Sequence, residues 1–221
     1  MTGSVSAVLV VAMLAAPSVA HANGDPAATG PPTTFERFAL SACTPCVRES
    51  YPVASLAIAP LEFPGFPRLA AGAASRSGEI AIEVVRAQQL GRPDWQSLGM
   101  RVTLSVVTGS GTYRLGIGLL DAVEVTVLAK AVEEMAKIAT APPANPSVET
   151  DIDFHGGSLR IGMLRLGGEA VVYVQTGDLP TLMQRAVWEV PTTLYLPVKE
   201  LPALAAALHQ AATTIEKLRS N

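Results

Sequence analysis

The 221-residue chain is 49% hydrophobic and 16% charged, with a formal net charge of −3. That balance excludes a disordered polypeptide and leaves enough length to bury a real core, as one domain or two small ones. With 16 Lys and Arg against 19 Asp and Glu, and 5% aromatics, the chain has no electrostatic footprint for phosphates, and a nucleic-acid partner is not expected.

Residues 4–20, SVSAVLVVAMLAAPSVA, form an apolar run that ends at Ala20-His21-Ala22. Small residues stand at the two positions signal peptidase reads, so residues 1–22 are expected to be a signal peptide cut after Ala22. The protein is then exported, to the periplasm or the extracellular space. The start MTGSV carries no Lys or Arg, so the positive charge falls to the amino terminus or to residues upstream. Pro17 and the Ala-rich end of the run favour cleavage over a retained anchor. No later segment approaches the roughly 18–20 apolar residues of a membrane span, so the mature chain is expected to have no stable one. Leu40-Ser41-Ala42-Cys43 matches the pattern at which bacterial lipoproteins are cut and acylated. The preceding PPTTFERFA is polar and broken by prolines, which makes the match a chance one.

Residues 23–77 read as a Pro/Gly-rich leader that carries both cysteines, with Pro52, Pro60, Pro64 and Pro67 favouring an extended, packed-down segment. From Gly78 the pattern changes. GEIAIEVVRA (78–87), MRVTLSVVT (100–108) and TYRLGIGLL (112–120) are strands, the last two joined by the hairpin tripeptide GSG. On the third, Leu115, Ile117 and Leu119 alternate against Arg114, Gly116 and Gly118. A helix then begins at Asp121-x-x-Glu124, where each side chain can satisfy an open amide. Val125, Leu128, Val132, Met135 and Ile138 make its apolar face, and Glu133 with Lys137 its wet one.

APPANPS (141–147) is a linker, and a second round follows: TDIDFH (150–155), SLRIGMLRL (158–166), EAVVYVQT (169–176) and PTTLYLP (191–197), then a terminal helix. DLPTLMQRA between the last two strands reads as a short helical turn. Shifted along the chain, the first helix lies over the last without a gap: Glu124 falls on Glu200, Val125 on Leu201, Leu128 on Leu204, Ala129 on Ala205 and Val132 on Leu208. The expected fold is therefore a two-layer α+β domain over residues 78–221, with halves 78–140 and 148–221 that suggest an internal duplication. An antiparallel sheet of six or seven strands would be covered on one face by the two amphipathic helices.

Cys43 and Cys46 are the two cysteines of the chain. In an oxidising compartment they are expected to close a local disulfide, a clip that pins a turn. Around them, CTPCVRESYP resembles the active-site stretch of thioredoxin-like exported oxidoreductases: Cys43, Pro45, Cys46, Glu49 and Pro52 fall near that family's Cys-x-Pro-Cys, Glu and Pro. EVPTTLYL (189–196) resembles the segment in which such enzymes place a cis-proline beside the cysteines, here Pro191. The resemblance implies a thiol–disulfide oxidoreductase in which Cys43, at a helix N-terminus, attacks a substrate disulfide and Cys46 resolves it. The chain departs from that family in having Ala42 where Trp is usual and no buried strand before the cysteines. It also runs 144 residues of hairpins and helix between the cysteines and Pro191.

Zinc takes about four N/S ligands. After cleavage the chain offers Cys43, Cys46, His155 and His209, and both histidines sit where solvated residues sit. No metal or cofactor is expected, and no nucleophile, Walker or dinucleotide motif occurs. Asp151 and Asp153 share one strand face as a weak cation or acid/base pair, or as the solvent side of an edge strand; Arg160 and Arg165 point to opposite faces. Gly116, Gly118 and Gly162 stand inside strands, where they mark bulges or close approach. Trp95 and Trp188 read equally as anchors or as ligand platforms. The functional expectation is an exported, non-enzymatic binding or structural module for a protein or a small apolar ligand. The oxidoreductase stands as the alternative.

Overall fold

The computed structural model describes residues 33–39, 45–59, 77–108, 111–142, 145, 150–166, 168–176 and 193–220. The expected signal peptide (residues 1–22), Cys43, the expected turn at 178–186, Trp188 and Pro191 lie outside the described residues.

A short helix, α1 (Thr34–Arg37), precedes four strands: β1 (Cys46–Ile58), β2 (Gly78–Gln89), β3 (Arg92–Thr108) and β4 (Gly111–Asp121). They form an antiparallel sheet in chain order. Helix α2 (Ala122–Thr140) follows, then β5 (Thr150–Gly156), β6 (Leu159–Leu166), β7 (Glu169–Thr176) and β8 (Thr193–Pro197), again antiparallel in chain order. A 3-10 turn, Val198–Glu200, leads into α3 (Leu201–Arg219). The mixed α+β class is as read from the sequence. Instead of one sheet of six or seven strands, however, there are two sheets of four. The chain closes β1–β4 hairpin by hairpin and then leaves the sheet as α2, so β5 does not continue the ladder. The two sheets meet by packing: a Cβ on Gly118 of β4 would stand 3.0 Å from the Leu159 side chain of β6.

Alternation places Ile80, Ile82, Val84, Met100, Val102 and Leu104 on the inner face of the first sheet. Ile161, Met163, Val172, Val174, Leu194 and Leu196 do the same for the second, and with the helices they form a continuous core. Helix α2 packs on β3, β4 and β5, α3 on β1, β2 and β3, and the helices pack on each other. Val125, Leu128, Val132 and Met135 are fully buried, whereas Ile138 is 36% exposed near the C-terminal end. There the buried Arg165 of β6 reaches across and donates to the carbonyls of Ile138, at 2.6 Å, and Ala141. A cation at this end complements the helix dipole. Arg160 and Arg165 do point to opposite sheet faces. Lys137 pairs with Glu134 at 2.6 Å, and not with Glu133, which turns to α3.

The folded unit does not start at Gly78: β1 pairs with β2 along its length, with a bulge between Pro52 and Ala54, and Phe35 of α1 is buried. Proline offers no N–H to a ladder, so it suits this edge strand. Ile117 and Leu119, read as the apolar face of β4, lie beneath α1 on the opposite side of the sheet from the main core, which β4 meets through Leu120. Both faces of β4 are covered at this end, so its alternation does not reveal which one carries the main core.

Candidate functional site

Three side-chain clusters carry the chemistry that the sequence supplies. The first lies on the outward face of the second sheet. Register places Asp153 of β5, Gly162 of β6 and Tyr173 of β7 in one row. A Cβ on Gly162 would overlap both the Asp153 carboxylate and the Tyr173 hydroxyl, so the glycine is what lets that hydroxyl donate to Asp153 across the middle strand. Arg160 adds a fork, with Nε 3.2 Å from Asp153 Oδ1 and a second nitrogen on Oδ2. Its guanidinium also lies 5.2 Å from the centre of the Tyr173 ring. His155 Nε2 stands 3.6 Å from Asp153 Oδ2, and Asp151 is 3.5 Å from the Tyr173 hydroxyl.

Burial pushes the Asp153 carboxyl up, but hydrogen bonds from Arg160 and Tyr173, with the nearby positive charge, outweigh it and hold the carboxyl below its usual range. Burial first, then the hydrogen bond to Asp153, drives the Tyr173 hydroxyl far above its usual value. The paired carboxylates therefore do share a strand face, on edge strand β5, as expected. Gly162, read as a bulge or a close approach, is where the Asp153 and Tyr173 side chains close over the strand. Tyr173 as their partner was not foreseen, because cross-strand register is set by the tertiary fold.

The second cluster joins the helices. His209 Nε2 of α3 meets Glu133 Oε1 of α2 at 2.7 Å, and both side chains stay about half exposed. The structure thus separates His155 from His209 and Asp153 from Glu133. Cys43 lies outside the described residues, and among those described no group of three or more His, Cys, Asp or Glu side chains could hold a metal ion.

The third cluster went unnoticed in the sequence. Residues 33–39 lie across the outer face of the first sheet as a strap. Thr33 Oγ1 accepts from the Glu36 amide at 2.9 Å, and the Thr33 amide donates back to Glu36 Oε2 at 3.3 Å, closing a capping box. The Asp121 carboxylate accepts from the Thr34 and Phe35 amides at 3.1 and 2.5 Å, while the Asp121 amide donates to Glu124 Oε2 at 2.8 Å. One residue thus anchors the start of α1 and opens α2. Burial raises the Glu124 carboxyl, its hydrogen bond from Asp121 lowers it, and the neighbouring Asp121 and Glu36 charges raise it further, leaving it above its usual range. Phe35 fills a notch at Gly99, where any Cβ would overlap its ring. The signal for this segment was present in the Thr33-x-x-Glu36 pattern, of the same kind as Asp121-x-x-Glu124.

Cys46 is the first residue of β1, opposite Gln89, and packs against the Phe35 cluster. Beside it the Leu90 amide donates to the Pro45 carbonyl at 2.9 Å, and Arg48 donates to the Ala39 carbonyl at 2.6 Å. Trp95, 39% exposed, stands edge-on to Phe38 with ring centres 5.8 Å apart, and Arg92 covers its ring at 4.7 Å. Cys46 thus opens an antiparallel edge strand and does not lie in the first turn of a helix. The pairings among the described strands are all antiparallel. Gly116 lies beside a register irregularity at Leu104/Ser105, so of the two readings, a bulge or a close approach, the bulge is the one seen there.

The chain matches no protein-family model and no curated protein. Among the described residues, no helix is long and apolar enough to cross a membrane.

Proposed function

We propose that this chain is an exported, non-enzymatic binding or structural module, built of two related halves and clipped by a Cys43–Cys46 disulfide beside its N-terminal strap. The observation that carries the reading is the state of the acid–base groups in the second sheet. A general acid or base works best with a pKa near the operating pH. Against its burial, hydrogen bonds from Arg160 and Tyr173, with the nearby positive charge, hold Asp153 low. Burial first, and then the bond to Asp153, hold Tyr173 high, so both lie away from neutrality. Such a network rigidifies a sheet face and moves no proton near pH 7. The partner that fits is a protein or a small apolar ligand.

Two coincidences favour the duplication. Strands β4 and β8 end at Asp121 and Pro197, an offset of 197 − 121 = 76 residues, and the helix pair Glu133–His209 has that same separation of 76. It is also the offset that superposes the two helical sequences. Related helices crossing near a local twofold axis bring equivalent residues together in this way.

The test is the reduction potential and thiol pKa values of Cys43 and Cys46 in the mature protein, measured beside insulin-disulfide reduction by wild type and Cys43→Ser. The expected result is no turnover above the uncatalysed rate and no depressed thiol pKa. Turnover lost in Cys43→Ser, with a potential in the catalytic dithiol range, would establish the oxidoreductase instead.

A further inference from the structure

The strap and its seat are built differently, and the difference points to a binding site. The seat is made by the body alone: Val85 and Ala87 of β2, the Gly99 notch of β3, Leu119 and the Asp121 carboxylate of β4, and Gly157 in the β5–β6 turn. Gly157 has φ +49, and a Cβ there would come 2.6 Å from Thr33 and 2.5 Å from the Leu119 carbonyl. The strap brings a helix of 4 residues. Isolated helices shorter than ~12–15 residues are marginal in water, so the seat imposes this conformation on a segment that would not hold it alone. Phe35 is 1% exposed, Glu36 5% and Ala39 6%.

We propose that this groove is a peptide-accepting site whose resident occupant is the chain's own Thr33–Ala39 segment, and that the ligand it takes in trans is the same segment of a second copy. Three recognition elements define the ligand. The Asp121 carboxylate takes two free amides at the start of a helical turn. The Gly99 notch takes an aromatic ring two positions after the capping threonine. The crowded face at Gly157 accepts the Thr-x-x-Glu capping box. The strap of another copy meets all three. In cis the short tether of residues 40–45 keeps the strap at an effective concentration of order millimolar, so the groove is closed in dilute protein and opens to exchange when the strap is weakened or the protein is crowded. This deepens the binding reading and rests on it. An empty groove would leave the non-enzymatic reading intact, since that reading is decided by the insulin assay.

The probe is an acetylated, amidated and fluorescently labelled peptide of residues 31–41, titrated into the full mature chain and followed by anisotropy. Phe35→Ala in the protein should give saturable binding. Wild type should bind about tenfold or more weakly, because its groove is open only for the fraction of time that its own strap is away. Adding Asp121→Asn to Phe35→Ala should lower affinity about tenfold, through loss of two charge-assisted hydrogen bonds. A Phe35→Ala peptide should not bind. Equal binding by wild type and Phe35→Ala protein, no binding by either, or equal binding of a scrambled peptide would overturn the proposal. Circular dichroism confirms the fold, and Phe35→Leu, with its smaller packing loss, serves if the alanine variant unfolds.

Discussion

Asp153, Gly162 and Tyr173 show how much a single missing Cβ can arrange. Without a side chain at Gly162 the Tyr173 hydroxyl crosses a strand to reach Asp153, and Arg160 closes the network from the neighbouring position. Tyr173→Phe should cost about 1–3 kcal/mol, the range for a buried partner left with one bond fewer, and equilibrium denaturation measures it. The pH dependence has two arms of known sign. Asp153 is lowered in the folded state, so its contribution is present above the ordinary carboxylate value of about 4 and is lost as pH falls through the lowered value. Tyr173 is raised, so its contribution is complete below the ordinary tyrosine value of about 10 and is lost as pH rises beyond it. In the phenylalanine variant the melting temperature should fall less steeply above pH ~10 than in wild type. Identical alkaline profiles would remove Tyr173 from the network.

Among the elements, the strap is the one whose behaviour under mutation separates it from the core. A buried Phe→Ala change costs about 3–5 kcal/mol in a core. A terminal strap can shed that cost by undocking. Phe35→Ala should therefore speed hydrogen exchange at Val85–Ala87 and Leu119 while leaving Ile80, Val102 and Leu128 protected, which mass spectrometry of exchanged peptides reads directly. Uniform loss of protection would make the strap part of the main cooperative unit. The elements differ in how far they were visible beforehand. β2 to β8 and both long helices follow from alternation and helical periodicity, because each buries one face in the core. β1 was read only as an extended segment, since Pro52 and its outward polar residues blur the alternation of an edge strand. α1 is too short for a periodicity to exist, and only its capping pattern could have revealed it. The split into two sheets is a matter of pairing across α2, which local pattern does not encode. Of the candidate residues, Asp151 and Asp153 were placed on their shared face. The cluster around them depends on three-strand register and so was not.

At the scale of the whole molecule, the parts meet at the N-terminal end. The strap is buried against the first sheet, Cys46 packs beside it, and the apolar run of residues 4–20 lies just upstream. Acylation and cleavage at Cys43, the lipoprotein reading of Leu40–Cys43, would discard Phe35, Glu36 and Ala39 and leave the Gly99 notch open. Cleavage after Ala22 keeps the strap whole, with residues 23–32 ahead of it in the chain. The most direct measurement is the intact mass, with N-terminal sequence, of the protein recovered from outside the cytoplasm. The expected species starts at Asn23 and is about 2 Da lighter than its fully reduced form, the loss of two thiol hydrogens in one disulfide. A chain that keeps residues 1–22, one that begins at an acylated Cys43, or one with two free thiols would contradict, respectively, export with cleavage, the retained strap and the clip.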